Sequence, residues 1–202
     1  MQPDPLILAF DTSAAHCAAA LLCGDKIVVE RIENMAKGQA ERLFPLLEEV
    51  LAEAGVSWAD LSAIGVGIGP GNFTGIRISV SAARGLALSL GIPAIGVSSL
   101  EAQVDNAPRP VWSLVDARRD HLYAQLFEMG PASAPELISA EYAQSLEGER
   151  VGPVSDQNPA LAIARIAAER LSSEAPIERP APLYIRAADA APPRDPAPVI
   201  LP

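Results

Sequence analysis

The sequence predicts an α/β protein built from two lobes, and three observations lead to this class. Continuous apolar segments of strand length alternate with amphipathic helical segments along the 202 residues. A glycine-rich turn joins one buried strand to the longest predicted helix. A pattern of strand, Asp, tight connection and strand near residue 7 recurs near residue 112. The repeated pattern indicates two lobes that share one supersecondary unit.

Composition limits the classes of function that the chain can have. The formal net charge is −10, from 15 Lys and Arg against 25 Asp and Glu. Phosphate contacts need clustered basic residues, so this acidity argues against a tRNA-binding module that acts alone. The cysteines Cys17 and Cys23 are expected to be unbridged thiols in a reducing compartment. The short apolar run Leu6–Phe10 is too short for a signal or membrane segment, so we expect a cytoplasmic protein without a membrane partner.

The first part of the chain begins with three predicted strands. Leu6 to Phe10 is a continuous apolar strand, and Cys17 to Leu22 is a second one. Gly24-Asp25 is a two-residue hairpin turn into a third strand, Ile27 to Ile32. An amphipathic helix is then predicted over Gln39 to Ala54, where Pro45 either kinks the helix or delays its start.

A strand at Ile64 to Ile68 leads through a turn into the helix Phe73 to Leu90, which ends at Gly91. A helix N-terminus after a glycine turn can present backbone N–H groups to an anion. Pro70 has no N–H to offer, however. We therefore interpret Gly69, Pro70 and Gly71 as a structural turn that orients the helix.

The helix from Phe73 to Leu90 is apolar on two faces. One stripe with alternating spacings of three and four residues contains Phe73, Ile76, Val80, Ala83, Ala87 and Leu90, and a second contains Ile78, Ala82 and Leu86. A helix with two apolar faces is expected to be buried twice, once against its own sheet and once against another protein. The pattern leaves open which stripe faces outward.

The second part of the chain follows a boundary at Asn106 to Pro110, which contains two prolines. We predict an N-terminal lobe over 1–106 that carries the partner-binding helices, a smaller lobe over 107–186 and a disordered tail rich in Pro and Ala over 187–202. Strands are predicted at Val111 to Val115 and Leu122 to Phe127, and Asn158-Pro159 predicts the start of a late helix.

The repeated pattern aligns Ile7–Leu21 with Trp112–Leu126, so that Asp11 pairs with Asp116. Each lobe then ends a buried strand with a carboxylate that points into the cleft between the lobes. Carboxylate oxygens bind Mg²⁺, so a metal–phosphate site is one interpretation. The other is that each carboxylate ends its strand and accepts hydrogen bonds from the turn.

Several segments together resemble a known family. They are Ile7–Ser13, Gly67–Ile78, Gly96–Leu100, Asp116–Arg118 and Pro182–Arg186. These segments are similar to those of TsaB, the bacterial accessory subunit of tRNA threonylcarbamoyladenosine synthesis. The string Gly-Pro-Gly-Asn-Phe-Thr-Gly-Ile-Arg is the most specific of them, and the resemblance extends to about Arg186.

The resemblance implies a two-lobed actin-like, sugar-kinase-like (ribonuclease-H-like) fold with mixed sheets flanked by helices. It implies a non-catalytic scaffold subunit that binds and activates the transferase TsaD, with the ATPase TsaE joining the assembly and tRNA bound only indirectly. It also implies a homodimer in the absence of TsaD. The helices that correspond to Gln39–Ala54 and Phe73–Leu90 would make the contact.

From this resemblance and the apolar stripes we predict a partner interface. Its members are Leu43, Leu47, Phe73, Ile76, Arg77, Val80 and Arg84. The apolar residues would form its centre and the arginines its rim.

The alternative function is a weak actin-fold ATPase or kinase that uses Asp11, Thr12, Ser13 and Asp116. The phosphate loops of such ATPases have Gly two residues after the Asp, whereas this chain has Ser13 and Arg118 there, which disfavours the enzyme. The histidine pair of TsaD is replaced by Lys37-Gly38-Gln39-Ala40-Glu41. We therefore expect no metal site, no catalytic residue and no cofactor in this chain, with ATP and Mg²⁺ entering only at the level of the complex.

Overall fold

A five-stranded mixed sheet forms from the first part of the chain, in a computed structural model that describes residues 4–153, 158–173 and 175–185. Its strand order is β3-β2-β1-β4-β5. The strands are β1 (Leu6–Asp11), β2 (His16–Cys23), β3 (Lys26–Asn34), β4 (Ala63–Gly67) and β5 (Ala94–Val97). β1 pairs antiparallel with β2 and parallel with β4, and β2 pairs antiparallel with β3.

A four-stranded mixed sheet forms from the second part, in the order β8-β7-β6-β9. Its strands are β6 (Val111–Arg118), β7 (His121–Phe127), β8 (Glu136–Ser139) and β9 (Glu149–Val151). β6 pairs antiparallel with β7 and parallel with β9, and β7 pairs antiparallel with β8. These relations are the same as those of β1, β2, β3 and β4, so the repeat seen in the sequence is also a repeat of topology.

Five α-helices cover the sheets within the residues that the structure describes. They are α1 (Gln39–Ala54), α2 (Phe73–Leu90), α3 (Ser99–Gln103), α4 (Ala140–Ser145) and α5 (Pro159–Ser172), and a short 3₁₀ turn lies at Trp58–Asp60. The bounds of α1 and α2 are those predicted. α1 continues through Pro45 and begins at the predicted residue, so the alternative of a delayed start is wrong. The confirmed fold class is that of two mixed sheets flanked by helices.

The first sheet lies between two helical layers. Leu8 and Phe10 of β1 face a core that they share with α1 and α2, whereas Ile7 and Ala9 face a second core that they share with α5. Successive side chains of a strand point to opposite faces, and β1 is apolar at both sets of positions because both faces are covered. Phe10 is completely buried.

Helix α5 lies within the predicted second-lobe range but packs on the first sheet. Ile163 and Ala167 belong to the core that contains Ile7 and Ala9. The chain therefore returns to the first sheet after it has formed the second one. The boundary between 106 and 107 stays a prediction, and the predicted tail 187–202 lies outside the described residues.

Helix α3 connects the cores of the two sheets. Leu100 and Val104, at and just after this helix, pack with Val111 of β6, whereas Ala102 packs in the core beneath α5. The Gln103 side-chain amide donates hydrogen bonds to the carbonyl oxygens of Leu114 at 2.9 Å and Val151 at 2.8 Å. These contacts fix the second sheet beside the first and thereby position the cleft between them.

Candidate functional site

A cleft of about 960 Å³ opens between the two sheets. Asp11, Ser13 and His16 line it from the first sheet, and Asp116 and Arg118 line it from the second. The structure therefore brings both carboxylates of the sequence repeat to one cavity. Thr12 is buried and is not among the residues that line the cleft.

Asp11 is buried and is held by its own strand connection. Its Oδ1 atom accepts hydrogen bonds from the Ser13 backbone N–H at 3.0 Å, the Ser13 hydroxyl at 2.9 Å and the His16 Nε2–H at 2.7 Å. Its Oδ2 atom has no hydrogen-bond partner among the residues that the structure describes. A Cβ atom on Gly67 would lie 1.9 Å from Oδ2, so the carboxylate fits only because residue 67 has no side chain.

Asp116 is exposed and caps the turn that follows it. Its Oδ1 atom accepts a hydrogen bond from the Arg118 N–H at 2.9 Å. After Ala117, the residues Arg118, Arg119 and Asp120 have φ values of 63°, 51° and 56°. Such left-handed backbone is uncommon outside glycine, and the side-chain cap supports it here. Both carboxylates thus accept a hydrogen bond from the backbone N–H two residues further along the chain.

The glycine turn packs directly on the end of β1. A Cβ atom on Gly71 would lie 2.3 Å from the Ser13 carbonyl oxygen, and one on Gly75 would lie 1.9 Å from the Thr12 carbonyl oxygen. The Asn72 N–H donates to the Ser13 carbonyl at 2.6 Å, and the Thr12 hydroxyl donates to the Gly75 carbonyl at 2.7 Å. The glycines therefore allow the first turn of α2 to approach the backbone of residues 12 and 13.

The N-terminus of α2 is already occupied by a side chain. Asn72 is the N-cap, and its Oδ1 atom accepts hydrogen bonds from the N–H groups of Thr74 at 3.1 Å and Gly75 at 3.0 Å. These N–H groups are the ones that a phosphate at a helix N-terminus would use. The geometry thus favours the structural interpretation of Gly69, Pro70 and Gly71 over a phosphate cradle.

Four of the predicted interface residues lie inside the chain's own core. Leu43 and Leu47 are completely buried, Ile76 is 1% exposed and Val80 is 2% exposed. This burial within the chain weighs against these four side chains as the apolar centre of a partner surface. The interface stays a prediction, because periodicity finds an apolar stripe without showing which layer covers it.

The exposed side of α2 is a different stripe, which we call the outer face of α2. It consists of Phe73, Arg77, Ser81, Arg84 and Leu88, at spacings of four, four, three and four residues. Leu88 is 82% exposed and Phe73 is 52% exposed, whereas Arg84 is half-buried. Sequence reasoning missed Leu88, although its helical spacing from Phe73 and Arg77 was available as a signal.

A cluster of aromatic rings and a cation lies at the N-terminal end of the outer face. The Arg77 guanidinium carbon lies 3.6 Å from the centroid of the Phe73 ring and 5.8 Å from that of the Tyr184 ring. The Arg77 Nε–H donates to the Tyr184 hydroxyl at 2.9 Å, and the two ring centroids are 5.5 Å apart. The Leu183 N–H donates to the Ile68 carbonyl at 2.9 Å and so holds the Tyr184 segment beside α2.

Two further features concern metals and membranes. Within residues 4–153, 158–173 and 175–185, no group of three or more His, Cys, Asp and Glu side chains is placed to bind a metal ion. In the same ranges, none of the helices has the length and apolarity needed to cross a bilayer.

Comparison with protein families gives a match over most of the chain. The family model described as "TsaD: tRNA N6-adenosine threonylcarbamoyltransferase" matches residues 27–184. The chain is 37% identical over 122 residues to the tRNA threonylcarbamoyladenosine biosynthesis protein TsaB of Escherichia coli (strain K12), covering 58% of this chain and 52% of that protein. It is 38% identical over 125 residues to TsaB of Bacillus subtilis (strain 168), covering 60% and 55% respectively. The matches thus span about half the length of these curated relatives.

Solved structures show the same fold. A Pseudomonas aeruginosa protein described as similar to peptidase YeaZ aligns with a TM-score of 0.75 at 24% identity, covering 90% of this chain and all of that one. A structure described as YeaZ from Pseudomonas aeruginosa aligns with a TM-score of 0.73 at 24% identity, covering 89% and 99%. The arrangement of two sheets and their helices is therefore shared with these proteins over nearly their whole length.

Proposed function

Because this chain belongs to the family described as "TsaD: tRNA N6-adenosine threonylcarbamoyltransferase" and is similar to curated TsaB proteins, we propose that it is a non-catalytic scaffold subunit in tRNA threonylcarbamoyladenosine biosynthesis. In this role it binds a TsaD-type transferase and holds it in an active conformation. The ATPase of the TsaE type joins the pair, and tRNA is contacted only through the complex. The family match supports the pathway, and the outer face of α2 supports the mode of binding.

The outer face of α2 is the observation that carries the proposal. It presents Phe73 and Leu88 at its two ends, with Ser81 between them, and its three- and four-residue spacings suit packing against another helix. Phe44 of α1 is also 44% exposed on the same helical layer. Large exposed apolar side chains on adjacent helices are typical of a surface that a partner covers.

The same surface also suits self-association. In the absence of the transferase, we propose that two copies of this chain pair through the outer face of α2 as a homodimer. A twofold pair would bring the same stripe of each copy together, so one surface would serve both assemblies. The homodimer and the complex with the transferase would then exclude each other.

The weak ATPase alternative receives less support from the geometry. The N–H groups of Thr74 and Gly75 bind the Asn72 side chain, and Gly71 and Gly75 face the backbone of residues 12 and 13. A phosphate would have to displace these contacts in order to bind there. This arrangement supports the scaffold over a nucleotide-hydrolysing enzyme.

The test replaces Leu88 with Asp and measures binding to the TsaD-type subunit of the same organism. Leu88 is 82% exposed, so the variant should fold normally and weaken the complex at least about tenfold in calorimetry. Met129→Asp is the matched control, because Met129 is 87% exposed on the second lobe. It should bind as the unchanged chain does. Threonylcarbamoyl transfer to tRNA should fall with Leu88→Asp and not with the control.

Size-exclusion chromatography of the same variants tests self-association. The unchanged chain should elute as a dimer and Leu88→Asp as a monomer. Normal binding and transfer with Leu88→Asp would contradict the proposed surface, and failure of the unchanged chain to bind the transferase would contradict the scaffold role.

A further inference from the structure

Arg77 is an exposed cation whose position is fixed within the chain. Phe73 lies against one face of its guanidinium at 3.6 Å, and its Nε–H is bound to the Tyr184 hydroxyl at 2.9 Å. Long charged side chains normally lose rotamer entropy when they bind. Here the aromatic contacts and the hydrogen bond already restrict the side chain before any partner arrives.

Arg77 also lacks the kind of partner that other arginines of this chain have. Arg31, Arg42, Arg165 and Arg170 each lie within 4.0 Å of a carboxylate, whereas no carboxylate lies within that distance of Arg77 among the described residues. With Nε committed to Tyr184, the two terminal nitrogens Nη1 and Nη2 remain as a fork of donors. Such a fork matches the two oxygens of a carboxylate.

We propose that Arg77, held between Phe73 and Tyr184, is the receptor for a carboxylate side chain of the protein that docks on the outer face of α2. This inference rests on the proposed function and adds the chemistry of the partner: an Asp or Glu surrounded by apolar groups. The carboxylate binds end-on to Nη1 and Nη2. The rings of Phe73 and Tyr184 exclude water from the ion pair and strengthen it.

Charge favours a protein carboxylate over an RNA phosphate at this position. The chain has a formal net charge of −10, so a polynucleotide approaching it meets overall repulsion. A single carboxylate in an otherwise apolar contact meets mainly the local charge of Arg77. Phe73 and Leu88 on the same face also suit an apolar protein surface.

The experiment compares three variants in calorimetric binding to the TsaD-type subunit at low and high salt. Arg77→Gln removes the charge and should raise Kd at least about tenfold at low salt. Arg77→Lys keeps the charge without the fork and should raise Kd by a smaller factor. Tyr184→Phe keeps the ring but removes the hydroxyl that anchors Arg77, and it should also raise Kd by a smaller factor than Arg77→Gln. The affinity of the unchanged chain should fall more steeply with rising salt than the affinity of Arg77→Gln.

Arg119→Gln is the matched control, because Arg119 is exposed on the turn between β6 and β7 and its loss changes the net charge equally. The inference would be overturned if Arg77→Gln bound with a Kd within twofold of that of the unchanged chain and with the same salt dependence. It would also be overturned by an Arg77→Gln variant that binds the protein normally but weakens tRNA binding by the complex, since this would assign Arg77 to a phosphate. If Arg77→Gln binds normally while Leu88→Asp loses binding, the proposed function stands and only the role of Arg77 fails.

Discussion

Gly75 shows how the absence of one side chain determines the position of a helix. Its α-carbon faces the Thr12 carbonyl so closely that a Cβ atom would lie 1.9 Å from that oxygen. Two segments of backbone meet at this point, and neither can yield as a flexible side chain would. The approach places the first turn of α2, and with it Phe73 and Arg77, at a fixed distance from the end of β1.

Gly75→Ala should therefore destabilise the protein by about 2–3 kcal/mol, because the added methyl group overpacks a contact between backbones. Gly85→Ala is the matched control within the same helix, since nothing lies within 4 Å of its ideal Cβ position. That variant should stabilise the protein by about 0.5–1 kcal/mol through higher helix propensity. Urea denaturation of both variants measures the two changes in the free energy of unfolding. Changes of the same sign would contradict the packing described for Gly75.

The two cysteines should differ in reactivity. Burial raises the pKa of the Cys17 thiol to about 11, whereas Cys23 is only half-buried. The thiolate is the form that reacts with alkylating reagents. At pH 8, iodoacetamide should therefore modify Cys23 first and Cys17 only after denaturation. Mass spectrometry of the peptides measures the order of modification. Rapid modification of Cys17 in the folded protein would contradict its burial in β2.

At the scale of elements, Arg42 connects α1 to the edge of the first sheet. It donates to both Glu33 oxygens, at 2.7 and 2.6 Å, and to both Glu49 oxygens, at 2.8 and 2.6 Å. The hydrogen bonds from Arg42 hold the pKa of Glu33 below its ordinary value of 4.5. β3 is an edge strand with one buried residue, Val29, so this ion pair and that of Arg31 with Glu53 add polar contacts between the strand and α1.

Glu33→Gln should lower stability at pH 7 by about 0.2–1 kcal/mol, the range for a solvent-exposed pair. Because the folded pKa of Glu33 is depressed, its stabilising effect is present above 4.5 and is lost as the pH falls through the lower folded value. The difference between the unchanged chain and the variant should therefore shrink in acid. Urea midpoints from pH 7 to pH 3 measure it, with Glu48→Gln on the exposed side of α1 as the control. A difference that is constant with pH would exclude the ion pair as its cause.

Elements with strong local signals could be predicted closely from the sequence. Helix α2 begins and ends where expected, since Asn72 caps its start and Gly91 adopts left-handed backbone at its end. β6 extends to Arg118, beyond the predicted Val115, because the pairing of Arg118 with His121 continues the ladder. β9, over Glu149–Val151, has a weaker local signal, and its pairing with β6 determines which residues are extended.

The candidate site was less predictable for a physical reason. Val80 and Leu88 are both apolar residues of α2, and only the tertiary packing of α1 and the sheet makes one buried and the other exposed. Tyr184 was even less accessible to such reasoning, because it lies 107 positions from Arg77 in the chain. Contacts of that range depend on the course of the whole backbone rather than on local periodicity.

At the scale of the whole molecule, α3 and α5 join the two sheets. Arg170 of α5 donates to both oxygens of Glu101 of α3, at 2.6 and 2.7 Å. Ile163 of α5 is 1% exposed in the core of the first sheet, and Leu100 of α3 is buried against the second. These contacts predict that the two lobes unfold in one transition.

Ile163→Ala should test this coupling, with a loss of about 2–4 kcal/mol from the cavity that it creates. Trp58 packs on the core of the first sheet and Trp112 on that of the second, so Trp112→Phe and Trp58→Phe backgrounds report each lobe by fluorescence. The urea midpoints of both reporters should shift together. Leu88→Ala, at an exposed position, should shift neither, and separate midpoints for the two reporters would contradict the coupling.

The return of α5 to the first sheet has a consequence for biosynthesis. The ribosome completes β5 at Val97 long before it reaches Ser172, the last residue of α5. At usual elongation rates the interval is roughly 4–15 s. During that time the face of the sheet that contains Ile7 and Ala9 lacks α5, which supplies most of the helical residues of its core. The nascent chain thus carries an open apolar surface until its late segments leave the exit tunnel, which makes it a candidate substrate for chaperones that act during translation.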